Sequence, residues 1–181
     1  MRVAIAQLNQ TVGDIAGNEA RILAAYRRGV EASAELVVCP ELALTGYPPR
    51  DLLLRPAFLK ANREALDRLA AATGDTGLLV GFVDDNAVRP GRPVFNAAAL
   101  LQRGRVVAIR HKSLLPTYDV FDEDRYFEPA LVNGPVEFNG RRIGITICED
   151  VWNDTDLWPE RRYRPDPVSY THLTLPTKRI V

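Results

Sequence analysis

The chain has 181 residues, 46% of them hydrophobic and 25% charged, a balance that suits one soluble domain with a packed core and excludes a disordered or fibrous polymer. Its 23 basic and 23 acidic residues cancel, which argues against a nucleic-acid footprint or attraction to an anionic membrane surface. Two distant cysteines, no charged-then-apolar leader and no apolar run of bilayer length predict a cytoplasmic protein whose thiols stay outside disulfides.

Val3 to Leu8 reads as a buried first strand, and Asn18 opens a helical stretch in which Ile22, Leu23, Tyr26 and Val30 recur near the helical period. Leu36 to Cys39 is a second strand, stopped by Pro40. The segment Glu41 to Arg50 carries Gly46-Tyr47-Pro48-Pro49 and predicts a rigid loop. About Ala57 to Ala72 is helical by its spacing of Phe58, Leu59, Leu66 and Leu69, and Gly77 to Val83 is a third strand. Beyond Asp84 the texture changes to hairpins. Asn96 to Leu101 and Val106 to Arg110 flank a Gly-bearing turn, and Val136 to Phe138 meets Arg141 to Cys148 across Asn139-Gly140. Helix-linked strands followed by hairpins predict an α/β fold with a mixed sheet.

Residues 168–181 contain no acidic residue and resemble translated sequencing-adapter read-through, so they are expected to be a non-native tail; an ordinary flexible C-terminus is the alternative. Under either reading His172 is not a candidate base.

Cys148 closes the apolar run Arg142 to Ile147 and is followed by Glu149 and Asp150, which reads as a buried strand delivering a nucleophile at its C-terminal end. A cysteine nucleophile needs a base for its proton and a donor for the oxyanion that forms on the attacked carbonyl. Glu41 and Lys112 also sit just past predicted strands, so the three would converge at one rim if those strands share a sheet. Cys39, inside a strand before a proline, reads as an inert buried thiol. Glu128 reads as a surface carboxylate, and Trp152 and Trp158 as packing groups. Glu149 and Asp150 would raise the Cys148 pKa if they faced it, so Lys112 must outweigh them or they must point elsewhere.

Three blocks carry a resemblance: Pro40-Glu41-Leu42-Ala43-Leu44-Thr45-Gly46-Tyr47-Pro48-Pro49, His111-Lys112-Ser113-Leu114-Leu115-Pro116-Thr117-Tyr118, and Thr146-Ile147-Cys148-Glu149-Asp150-Val151-Trp152. In order and separation they resemble the Glu, Lys and Cys blocks of the nitrilase (carbon-nitrogen hydrolase) superfamily. Their flanks resemble the glutaminase domains of glutamine-dependent NAD synthetases in particular. The resemblance covers residues 1 to about 165 and implies a four-layer αββα sandwich, incomplete in this chain. It implies Cys148 as nucleophile, Glu41 as general base and Lys112 as oxyanion donor, with Glu123 in support and Tyr118 contacting glutamine. No metal or organic cofactor is implied for hydrolysis. ATP and magnesium would serve a synthetase domain, absent here, that amidates deamido-NAD with the released ammonia, within a homo-oligomeric parent. The fragment alone is expected to be inactive. A stand-alone amidase acting on another small amide, and a non-catalytic fragment, are the alternatives.

Overall fold

The computed structural model describes residues 1–88, 90–130 and 133–152, together with the backbone of 172–174. β1 (Val3–Ile5), β2 (Leu36–Val38) and β3 (Gly77–Asp85) run parallel in that order, with α1 (Ile15–Glu31) and α2 (Pro56–Ala71) as crossovers. β4 (Val94–Gln102) and β5 (Arg105–His111) extend the sheet antiparallel. β2, β3 and β5 therefore point the same way, and the chain leaves β2 and β5 at the same rim. The start of the antiparallel β4 lies at that rim too.

Several boundaries move, two of them for plain local reasons. α1 begins before Asn18 because Asp14 caps it, accepting the Gly17 N–H at 2.9 Å; buried Asn18 instead donates to the carbonyls of Thr11 and Leu44. β1 stops at Ile5 rather than Leu8, because its neighbour β2 turns away at Pro40; one more bond, from the Ala6 N–H to the Val38 carbonyl, ends the pairing. Both hairpin turns form as expected. Arg103 and Gly104 have φ of 52° and 76°, and Asn139 and Gly140 have 49° and 73°, the doubly left-handed two-residue turn that matches strand twist.

The two faces of the first sheet bury different layers. Leu78, Val80 and Phe82 pack with Ile22, Tyr26, Leu66 and Leu69 of the helices. Leu36, Val38, Leu79, Ala98 and Leu100 pack against Phe138, Ile143, Ile145 and Ile147 of a second sheet. That sheet contains β6 (Val136–Phe138), β7 (Arg141–Thr146) and β8 (His172–Thr174), with β8 parallel to β7. Helix, sheet and sheet make three of the four layers expected; among the described residues no helix covers the far face of the second sheet. β8 falls inside the segment 168–181, where the backbone of His172–Thr174 pairs with the edge of β7. The rest of that segment and Trp158 lie outside the described residues.

Candidate active site

Pro40 takes the chain off the first sheet immediately after β2, and the loop that follows lies against β3. The Leu44 N–H bonds the Gly81 carbonyl at 3.1 Å. A Cβ on Gly81 would stand 2.3 Å from the Leu42 nitrogen and 2.6 Å from the Pro40 oxygen, so only glycine lets the backbone around Glu41 come this close. Leu42 itself adopts φ 47°.

Lys112 is the first residue past β5. Its N–H bonds the Asn96 carbonyl at 2.8 Å and its own carbonyl accepts from Ala130 at 2.9 Å, which fixes the backbone on both sides. The side chain is fully buried, and Nζ lies 2.7 Å from Glu41 Oε1 and 2.8 Å from Glu123 Oε2. Glu123 sits in a single 3₁₀ turn, Glu123–Arg125, and accepts a 2.8 Å hydrogen bond from the Tyr47 hydroxyl. Asn96 Nδ2 donates to Glu41 Oε1 at 2.8 Å and approaches Glu123 Oε2 at 3.5 Å.

Cys148 is half-buried at the end of β7, in a 3₁₀ turn running Cys148–Trp152, and takes the left-handed φ of 48°. That conformation is costly for a non-glycine residue and is held by its surroundings. Asp150 supplies the hold. Its Oδ1 accepts the N–H groups of Ser113 and Leu114, each at 2.9 Å, and its Oδ2 accepts the N–H of Ile147 at 3.1 Å. One carboxylate thus ties the lysine loop to the cysteine strand. Glu149 accepts from the Tyr118 hydroxyl at 2.8 Å. Both acidic neighbours of Cys148 are therefore engaged with other groups.

Electrostatics follow from burying one ammonium between two carboxylates. Burial works against the Lys112 charge, but Glu41, Glu123 and then Cys148 hold its pKa above the ordinary lysine range. Burial pushes the Glu123 carboxyl up; Lys112 opposes the shift and Glu41 adds to it. Burial, then the Glu123 charge, raises the Tyr47 hydroxyl. Burial also pushes Asp150 up to about 6 against the pull of its three N–H donors. Cys39, 1% exposed, is pushed up to about 12 by burial, which fits an inert thiol.

The arrangement departs from the sequence reading in particulars. Glu41 and Lys112 ride on one sheet, whereas Cys148 comes from the second; the layers, not one shared rim, bring them together. Tyr118 is 55% exposed at the edge of the site, its ring edge-on to Phe121 at 5.6 Å. Glu128 is not a bare surface carboxylate: it is partly buried and accepts the Arg92 N–H at 2.8 Å, because the Gly91 turn folds over it. Trp152 is 54% exposed rather than packed, because it sits at the solvent-facing end of the Cys148 turn. Sequence reasoning missed Asn96, the lone polar residue in the apolar run from Val94 to Leu101, and the clasp made by Asp150, two of whose three partners lie 36 and 37 residues away. A cavity of about 500 Å³ opens beside the cluster, lined by Tyr47, Arg50, Asp122, Glu123, Arg125 and Tyr126 among others.

The chain is 44% identical over 170 residues to a glutamine-dependent NAD(+) synthetase from Synechocystis, a match that spans 92% of this chain and 30% of the relative. It superposes on the glutamine-dependent NAD+ synthetase of Acinetobacter baumannii with a TM-score of 0.77 and 35% identity, over 83% of this chain and 28% of that one. An amidase from Nesterenkonia sp. AN1, solved with acrylamide added at its active-site cysteine, superposes with a TM-score of 0.69 and 25% identity over 83% of this chain and 58% of the amidase. The chain thus spans less than a third of the curated relatives it matches. Residues 2–161 match the carbon-nitrogen hydrolase family, and the chain belongs to it.

Proposed function

We propose that the chain is the glutamine-hydrolysing part of a glutamine-dependent NAD synthetase. The observation that carries this reading is the buried Glu41–Lys112–Glu123 cluster beside Cys148, in a chain 44% identical to such a synthetase. In this reading Glu41 takes the Cys148 proton as the sulfur attacks the side-chain amide carbon of glutamine. The Lys112 ammonium, held between Glu41 and Glu123, stabilises the developing oxyanion. Glu41 returns the proton to the amide nitrogen, the C–N bond breaks and ammonia departs, leaving a glutamyl thioester. Water then attacks, Glu41 takes its proton, and glutamate leaves as the thiol re-forms. Glu123 anchors the ammonium, and Tyr118 is the residue that contacts the incoming amino acid in this reading.

The hydrolytic step requires no metal or organic cofactor. ATP, magnesium and deamido-NAD belong to a synthetase domain outside this chain, in a cytoplasmic, homo-oligomeric parent; this chain alone is inactive. A second reading, amidase action on another small amide, is favoured by the likeness to the Nesterenkonia amidase. Ammonia release by the full-length protein separates the two: glutamine turnover that disappears in Cys148→Ala supports the first, and turnover of simple amides with none of glutamine supports the second. Equal glutamine turnover by the wild type and Cys148→Ala removes Cys148 as nucleophile.

A further inference from the structure

Asn96 is fully buried at the start of β4, and its amide has one orientation that the surroundings allow. Nδ2 faces Glu41 Oε1 and Glu123 Oε2; exchanging the nitrogen and oxygen would set a carbonyl oxygen against two carboxylate oxygens. That orientation leaves Asn96 Oδ1 buried without a hydrogen-bond partner among the described residues. An orphaned acceptor in a native interior is uncommon, and its cost shows what the site selects here: a donor that stabilises carboxylates and has no proton to lose.

The geometry at Glu41 gives this donor a purpose. Oε1 accepts from both Lys112 Nζ at 2.7 Å and Asn96 Nδ2 at 2.8 Å, whereas Oε2 accepts no bond among the described residues. Two donors on one oxygen fix the carboxylate plane and leave the other oxygen as the basic one. We infer that Asn96 is a positioning residue that pins Glu41 through Oε1 and so presents Oε2 to the Cys148 thiol. The inference rests on the proposed role of Glu41 as base. Lys112 alone would leave the carboxylate free to rotate about its single contact. The charged and titratable groups that act on Glu41 are Lys112, Glu123 and Tyr47, Cys148 acts in turn on Lys112 and Tyr47, and Asn96 is the neutral member of the set.

The test compares the full-length protein with its Asn96→Leu variant, which keeps the side-chain shape and removes the donor. Two pH profiles are measured: kcat/KM for ammonia release from glutamine, and the rate of iodoacetamide alkylation at Cys148, followed by peptide mass. The acid limb of both is expected to move to higher pH by about one unit, since the Glu41 anion loses a charge-assisted hydrogen bond. kcat is expected to fall by roughly tenfold to a hundredfold with little change in KM. A variant that melts at lower temperature but keeps both acid limbs in place would show a packing role only and overturn the inference. Should Asn96→Leu not melt cooperatively, Asn96→Ser, whose hydroxyl stops short of both carboxylates, carries the same expectation. Alkylation needs no glutamine, so a wrong substrate assignment abolishes the ammonia signal in the wild type while the alkylation shift persists.

Discussion

Replacing Lys112 with methionine removes the charge at the centre of the site and keeps the stem. Nζ lies within 2.8 Å of an oxygen on each of two carboxylates, and the three side chains are 0%, 8% and 5% exposed. At an effective dielectric near 20 each pair is worth roughly 6 kcal/mol of Coulomb attraction, set against several kcal/mol per ion for leaving water. The net worth of the cluster is small, but deleting its cation strands two carboxylates beside each other. Lys112→Met is therefore expected to cost about 3–5 kcal/mol in urea denaturation at pH 7. The sign with pH follows. Without the ammonium, one carboxyl takes up a proton in the folded state at a pH where the unfolded chain, titrating near the ordinary ~4.3, has lost it. The folded variant then binds more protons than the unfolded one, so its deficit grows as pH rises from about 4 to 7 and shrinks on acidification. Adding Glu123→Gln removes one stranded charge and is expected to restore stability but not ammonia release. A single variant within about 1 kcal/mol of the wild type, or a double variant no better than the single, would refute this account of the buried cluster.

Gly81→Ala forces a Cβ into the backbone of the Glu41 loop and is expected to cost roughly 1–3 kcal/mol and most of the activity; wild-type turnover would show that the loop does not need that approach. Tyr47→Phe removes the hydroxyl that donates to Glu123 and is expected to destabilise by about 1.5–3 kcal/mol in the same urea titration, with an unchanged midpoint as the contrary result. Iodoacetamide at pH 8 is expected to label Cys148 and leave Cys39 unmodified in the native protein, as read by peptide mass; equal labelling would contradict a thiol buried and raised to about 12.

Much of this was legible in the amino acids because the signals are local. Asn139-Gly140 specifies its hairpin through φ alone, and Pro40 ends β2 because it lacks an N–H. Glu41, Lys112 and Cys148 each follow a strand, which brings them into view as candidates. What stayed hidden depends on tertiary distance. Asp150 looks like a threat to a neighbouring thiolate until its oxygens are seen to accept from Ser113, Leu114 and Ile147. Asn96 reads as an interruption of an apolar strand until Glu41, 55 residues away, comes within 2.8 Å. That Cys148 rises from a different sheet was equally invisible, since periodicity reports which face is apolar and not which layer it meets.

The clasp made by Asp150 has a consequence for when the thiol becomes dangerous. Base and cation sit at the rim of the first sheet and the sulfur at the end of a strand of the second, so in a chain whose two sheets have not packed together the sulfur is an ordinary cysteine with no activating company. Reactivity is thereby gated by completion of assembly, and a half-made molecule is chemically quiet.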